Sequence, residues 1–126
     1  NARILSLSAA ARFTASLTED RDLAEKLNVY ADDQIAWVLG LNPFDSCMLE
    51  GYGRHNIDYY FQYKYDFISA PGGIVNGITS GIDDEEGIAF IMSPLDHPDI
   101  NDNWRWAEQW LPHASWFLYA LCLKKK

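Results

Sequence analysis

From Asn42 to about Ile100, roughly 60 residues pass without a sustained hydrophobic period. Glycine and proline punctuate the stretch, at Gly51, Gly53, Pro71, Gly72, Gly73, Gly77, Gly81, Pro94 and Pro98. That is more loop than a self-sufficient small domain accommodates, and long loops of this kind usually carry function. Asp45 to Leu49 has the composition of a helical turn, and Tyr59 to Tyr65 is an aromatic run that suits a sugar cleft and core packing equally well.

The flanks are helical in pattern. Ile4, Leu5, Ala9, Phe13 and Leu17 recur at helical spacing, so residues up to about Leu17 read as one amphipathic helix. Thr18-Glu-Asp-Arg interrupts it and supplies capping chemistry for a second helix, whose stripe is Leu23, Leu27, Tyr30, Ala31, Ile35, Val38 and Leu39. Gly40 ends that helix and Asn42-Pro43 prevents an immediate restart. So short a turn between the two predicts an antiparallel hairpin. Asn101 to Leu123 reads as helix again, with Pro112 imposing a kink or a fresh start near Leu111; about Trp104–Leu123 and Asp20–Leu39 are the longest expected helices.

At 126 residues the chain has room for one domain, so 1–126 is read as a single unit. Its helical residues are too few to enclose its loops, and it reads as a piece of something larger. A net charge of −8 argues against nucleic acid, whose phosphates need clustered Lys and Arg. The C-terminal KKK suits a helix end or a solubilising tail. No segment approaches the ~20 uninterrupted apolar residues of a membrane span. NARILSLSAAARF lacks the long apolar run of a signal peptide and reads as helix interior. Cys47 and Cys122 fit neither a zinc nor a redox spacing and are read as free thiols, with one disulfide as the alternative.

The densest chemistry lies in NDNWRWAEQWLPHASWFLYA, Asn101 to Ala120, which holds four of the five tryptophans around one acid, Glu108. Three segments, in this order, resemble the C-terminal part of glycoside hydrolase family 9, the endoglucanase-like (α/α)6 barrels. YADDQIAWVLGLNPFDSCMLEGYG, Tyr30 to Gly53, resembles that family's helix ending in Q-x-x-Y-I-L-G-x-N-P and its G-[FY]-G turn. PGGIVNGITSG is similar to its G-x-[LV]-x-G-G-P loop, and NDNWRWAEQWLPHASWFLYAL stands where it has D-x-R-x-D-Y-x-x-N-E and the last helix. The resemblance spans about Tyr30 to Leu121, most of this chain but only a part of a family catalytic domain.

The resemblance implies an all-α fold, the C-terminal portion of an (α/α)6 barrel with long irregular loops. It implies a carbohydrate substrate of the β-glucan type, cleaved with inversion, and secreted or periplasmic localisation. It makes Glu108 the general acid, with Trp104, His113, Arg54 and His55 at substrate-binding positions. Glycoside cleavage needs a carboxyl that stays protonated near neutral pH, and aromatic walls that strip water from it favour the neutral acid. Arg105, three residues before Glu108, would oppose this by stabilising the anion; a surface Glu108 paired with Arg105 is the alternative reading.

The departures are specific. His113 and Trp104 each stand where the family usually has Tyr, and Ala107 where it has Asn. The family's P-H-H-R loop is not reproduced; Gly53-Arg54-His55-Asn56 is its nearest counterpart. No D-x-G-D, the source of the family's catalytic base, occurs in the chain. An inverting glycosidase needs that second carboxylate roughly 6.5–9.5 Å from the acid, so the isolated chain is expected to be inactive. Its expected partners are the rest of a catalytic domain, or a second copy through bare apolar faces.

Nothing in the spacing calls for a metal or other cofactor. Asp83-Asp84-Glu85-Glu86 and the set Asp96, Asp99 and Asp102 lack EF-hand spacing and read as solvated loops, as does His97. His55 and His113 form no zinc set with either Cys, and Ser46, Ser80 and Ser93 sit in no G-x-S-x-G elbow. The alternative from a different class is a non-catalytic helical module that binds carbohydrate or a partner protein through the same tryptophans. A D-x-G-D motif upstream of Asn1 would favour the enzyme.

Overall fold

A computed structural model describes residues 1–60, 64, 69–81, 86–90 and 103–124. The described residues are helical and irregular, with no strand beyond isolated bridges: α1 (Ala2–Leu17), α2 (Arg21–Val38), α3 (Trp104–Ala107) and α4 (Leu111–Cys122). The all-α class therefore holds. No helix among the described residues is long and apolar enough to cross a membrane.

α1 and α2 form the expected hairpin. The Asp20 side chain accepts the Leu23 N–H at 3.0 Å, satisfying one of the unpaired donors of the first turn of α2. At the other end Gly40, with φ +115, lets the chain turn back, and the Leu41 N–H closes onto the Ala36 carbonyl at 2.9 Å. α1 packs against both α2 and α4. Its small residues Ser8, Ala9 and Ala11 are buried, which lets two helices approach it from different sides. Ser8 Oγ donates to the Ala31 carbonyl of α2 at 2.8 Å. Arg12 donates to the Ala120 carbonyl of α4 and pairs with Asp32 of α2, and Lys124 reaches Asp32 at 3.0 Å. Partial burial works against ionisation of Asp32. Hydrogen bonds from Lys124 and Arg12, with their charges, outweigh it and hold the carboxyl below its ordinary value.

The described loop residues form a folded layer that shares one core with the helices. Met48 N–H donates to the Val38 carbonyl and Val75 N–H to the Met48 carbonyl, tying the loops to the end of α2. Met48, Ile57, Tyr60, Ile74, Val75 and Trp106 join Leu5, Ala9, Ile35 and Val38 in one buried cluster. The backbone polar groups here are satisfied by loop-to-loop pairs such as Leu49 with Ile74 and Val75 with Gln109.

Four expectations are corrected. Asp45 to Leu49 forms no helical turn; the chain there runs to Met48 and its bond with Val38. Trp104–Leu123 is not one long helix: α3 stops at Ala107, Glu108 and Trp110 are extended, and α4 begins at Leu111. Pro112 is the cause, because it has no N–H for the Glu108 carbonyl and its ring would clash with that carbonyl in a continuous helix. Arg105 does not pair with Glu108; its guanidinium lies 3.4 Å from the Ser80 carbonyl. The predicted stripes are buried only in part. Leu5, Ala9, Ala31, Ile35 and Val38 meet the loop layer or a helix, whereas Phe13, Leu17 and Leu23, at the turn end of the hairpin, are exposed. So are Tyr30 and Leu39.

Both cysteines are free thiols, Cys47 buried and Cys122 exposed. Most of the Tyr59–Tyr65 run, Asp83 to Glu85, Asp96, His97, Asp99, Asp102, Ser93 and the last two lysines lie outside the described residues.

Candidate functional site

Glu108 sits where Pro112 breaks the helix, and the break decides how it is held. Its carbonyl, which a continuous helix would have paired with residue 112, accepts instead from the Asn76 N–H at 2.7 Å. Two residues earlier the Trp106 carbonyl accepts from Gly77 N–H at 2.9 Å, and two before that the Trp104 carbonyl accepts from Asn76 Nδ2 at 2.6 Å. Asn76 and Gly77 thus grip three alternate carbonyls of the Trp104–Glu108 segment. A Cβ at Gly77 would come within 2.6 Å of Asn1 Nδ2 and 2.7 Å of Met48 Sδ, and the backbone φ of +89 strains any other residue there.

Glu108 is partly buried as a residue, and its carboxylate accepts from Trp110 Nε1–H at 3.0 Å through Oε2 at an exposed position. No cation pairs with it among the described residues. The tryptophans divide their work. Trp106 is core and donates from Nε1 to Thr79 Oγ1 at 3.0 Å, Trp110 bonds the carboxylate, and Trp104 presents half of its surface outward. Trp116 belongs to α4, where its ring meets Tyr119.

His113 lies beneath this segment, 8% exposed, on the face of α4 that also buries Phe117 and Ala120. Burial pushes its pKa down to about 4, so the imidazole is neutral at physiological pH. Its Nε2 is 2.8 Å from Asn76 Oδ1. Since the Asn76 amide NH2 is committed to the Trp104 carbonyl, Oδ1 faces His113 and Nε2 must carry the proton. Nδ1 is then the unprotonated nitrogen, consistent with its having no acceptor among the described residues.

Arg54 and His55 lie on the turn after Gly51-Tyr52-Gly53, and both face Asp45. Arg54 reaches the carboxylate twice, Nε to Oδ2 at 2.9 Å and Nη2 to Oδ1 at 3.0 Å. His55 Nδ1 meets the Asp45 carbonyl at 2.9 Å, and Ser46 Oγ donates to the His55 carbonyl at 2.7 Å. Asp45 (φ 48) and His55 (φ 53) are the non-glycine residues with left-handed backbone among the described residues, so strained conformations meet across this bracket.

The structure therefore brings Trp104, Glu108 and His113 together through Asn76, and gathers Arg54 and His55 separately around Asp45. No hydrogen bond or ion pair among the described residues joins the two groups. Sequence reasoning missed Asn76 and Asp45. Asn76 carried a faint signal as a polar residue before a glycine in an otherwise apolar loop. Asp45 carried none beyond the turn-forming NPFD. No protein-family model matches the chain, and no curated protein matches it.

Proposed function

We propose that the chain is the acid-bearing C-terminal part of an inverting glycoside hydrolase of the family 9 type, acting on a β-glucan-like carbohydrate. One observation carries this reading: the Glu108 main chain is clamped by Asn76 while its carboxyl group has a neutral indole as its hydrogen-bond partner and no cation among the described residues. A general acid must be fixed in position, must not be locked as an anion by a nearby cation, and must keep an oxygen free to donate. Trp110 bonds Oε2, which leaves Oε1 to deliver a proton to the leaving oxygen. Trp104, half-exposed and four residues before the acid, supplies apolar surface suited to a pyranose ring. The outward edges of Arg54 and His55 supply donors for sugar hydroxyls.

The catalytic base belongs to the D-x-G-D segment that the resemblance implies outside these residues. The barrel portion of the reading is supported by the apolar surface that α4 and the hairpin leave open. Leu111, Leu118 and Leu121 on α4, and Phe13 and Leu17 on α1, are exposed. A helix apolar on nearly all sides belongs inside a larger packing. In the full-length protein, Glu108→Gln keeps an oxygen for the Trp110 indole but has no proton to give. Turnover of an unactivated oligosaccharide should fall by roughly 10²–10⁴-fold, the usual worth of general acid–base catalysis. Equal turnover by the variant and the wild type would end the assignment.

A second reading, a carbohydrate- or partner-binding module, is favoured by the outward halves of Trp104 and Trp110. Binding without turnover in the full-length protein, insensitive to Glu108→Gln, would select it.

A further inference from the structure

We infer that Asn76 is a positioning residue for Glu108, and that His113, through its Nε2–H, holds the Asn76 amide in the orientation this requires. The role rests on Glu108 being the general acid. With Pro112 at the start of α4, Glu108 loses the helical bond that would have held its carbonyl, and Asn76 supplies the replacement from its main-chain N–H at 2.7 Å. The Asn76 side chain adds the bond to Trp104 at 2.6 Å, so the ends of the acid-bearing turn are both fixed by one residue.

That side-chain bond works in one orientation of the amide. Turned over, it would set Oδ1 against the Trp104 carbonyl, two acceptors with no hydrogen between them. The Trp104 carbonyl sets that orientation and His113 reinforces it: among the described residues its Nδ1 has no acceptor for a proton, so the proton sits on Nε2 and is donated to Oδ1 at 2.8 Å. His113 is buried beneath the segment, on α4, and reaches the acid through Asn76. Although the family resemblance puts His113 at a sugar-contacting position, the hydrogen bonds make it a support for the acid. The two roles differ in what they do to kinetics. Loss of a sugar contact raises KM, whereas misaiming the acid lowers kcat and does so chiefly where the leaving group needs protonation.

The test uses the full-length protein, with an unactivated glycoside and an activated aryl glycoside as substrates. His113→Leu should lower kcat on the unactivated glycoside by about 10- to 100-fold, the scale of a small displacement of a catalytic group. KM should be unchanged and the aryl glycoside much less affected. His113→Gln, whose amide N–H can take the place of Nε2–H, should recover most of the loss. Asn76→Asp keeps the main-chain bond to Glu108 but removes the donor to Trp104, and should reproduce the His113→Leu pattern; it decides the matter if His113→Leu does not fold. Unchanged kcat in a folded variant, a rise in KM in its place, or equal losses on both substrates would overturn the role. Glu108→Gln runs alongside. If it too leaves the unactivated glycoside unaffected, the acid assignment has failed; if it abolishes turnover while the Asn76 and His113 variants retain it, the positioning role alone has failed.

Discussion

Around Glu108 the structure spends its hydrogen bonds on the main chain. Carbonyls at Trp104, Trp106 and Glu108 are each held, and among the described residues the carboxyl group is left with one neutral donor. Around Arg54 and His55 the main-chain carbonyls are held as well, by Ser46 Oγ and the Cys47 N–H, but here the side chains are bound too: the guanidinium forks onto Asp45, and the imidazole leans on the Asp45 carbonyl. A group whose backbone is fixed while one carboxyl oxygen stays open is held in place with an oxygen available to a reacting partner. Side chains already committed to a turn can still offer an outward edge to a ligand. The first arrangement suits chemistry and the second suits binding.

The turn that carries Arg54 and His55 should break most completely at Gly53. It has φ +65, and a Cβ there would stand 2.6 Å from the Cys47 Cβ and 2.9 Å from its Sγ. Gly53→Ala should cost about 3 kcal/mol, from left-handed backbone strain plus overpacking against buried Cys47. Thermal unfolding measures this, and a variant as stable as the wild type would show that the turn is not fixed as described.

The Glu108 side of the comparison is sharpened by pH. His113 in the unfolded chain takes up a proton below about 6.5, but in the folded protein only near 4. Between those values the unfolded state holds more protons, so stability falls as pH falls, by up to about 3 kcal/mol across the window. His113→Gln should remove that slope. Asp32 acts in the same direction, but only below its ordinary value of 3.8, where its partners Arg12 and Lys124 lose their counter-charge. A wild-type slope that persists in His113→Gln would place the titrating group elsewhere.

The smallest effect belongs to Arg54 itself. Its pair with Asp45 is largely exposed, with side-chain exposures of 74% and 51%, so Arg54→Ala should change stability by less than about 1 kcal/mol. Its consequence should appear in KM for a glycoside while kcat is unchanged, the reverse of Glu108→Gln. A drop in kcat with constant KM would erase the distinction between the two regions.

Much of the hairpin was legible because its signals are local. Asp20 caps its own helix, Gly40 ends it, and the spacing of Ala31, Ile35 and Val38 marks the face that is buried. Pro112 announced a break near Leu111, and Gly51-Tyr52-Gly53 announced a turn. What the break would do to Glu108 was not legible, because the partner of its freed carbonyl is Asn76, in a different segment of the chain. Arg105 was misjudged for the same reason: helical spacing offered Glu108, but the break removed that geometry and the guanidinium lies instead against Ser80. The stripe residues Phe13, Leu17 and Leu23 have the pattern of a core, yet no pattern states which neighbour covers them. Nothing in composition marked Asp45 for left-handed backbone; the bracket with Arg54 and His55 is made only in the folded turn.

The most direct measurement compares the loss caused by Glu108→Gln on two glycosides of the same sugar in the full-length protein, one with a poor leaving group and one with an activated aryl group. An aryl oxide leaves with little help from an acid, so the variant should lose roughly 10²–10⁴-fold on the first substrate and far less on the second. Equal losses on both would mean that the substitution damages the fold or the binding of substrate, and would contradict the assignment of Glu108 as the proton donor.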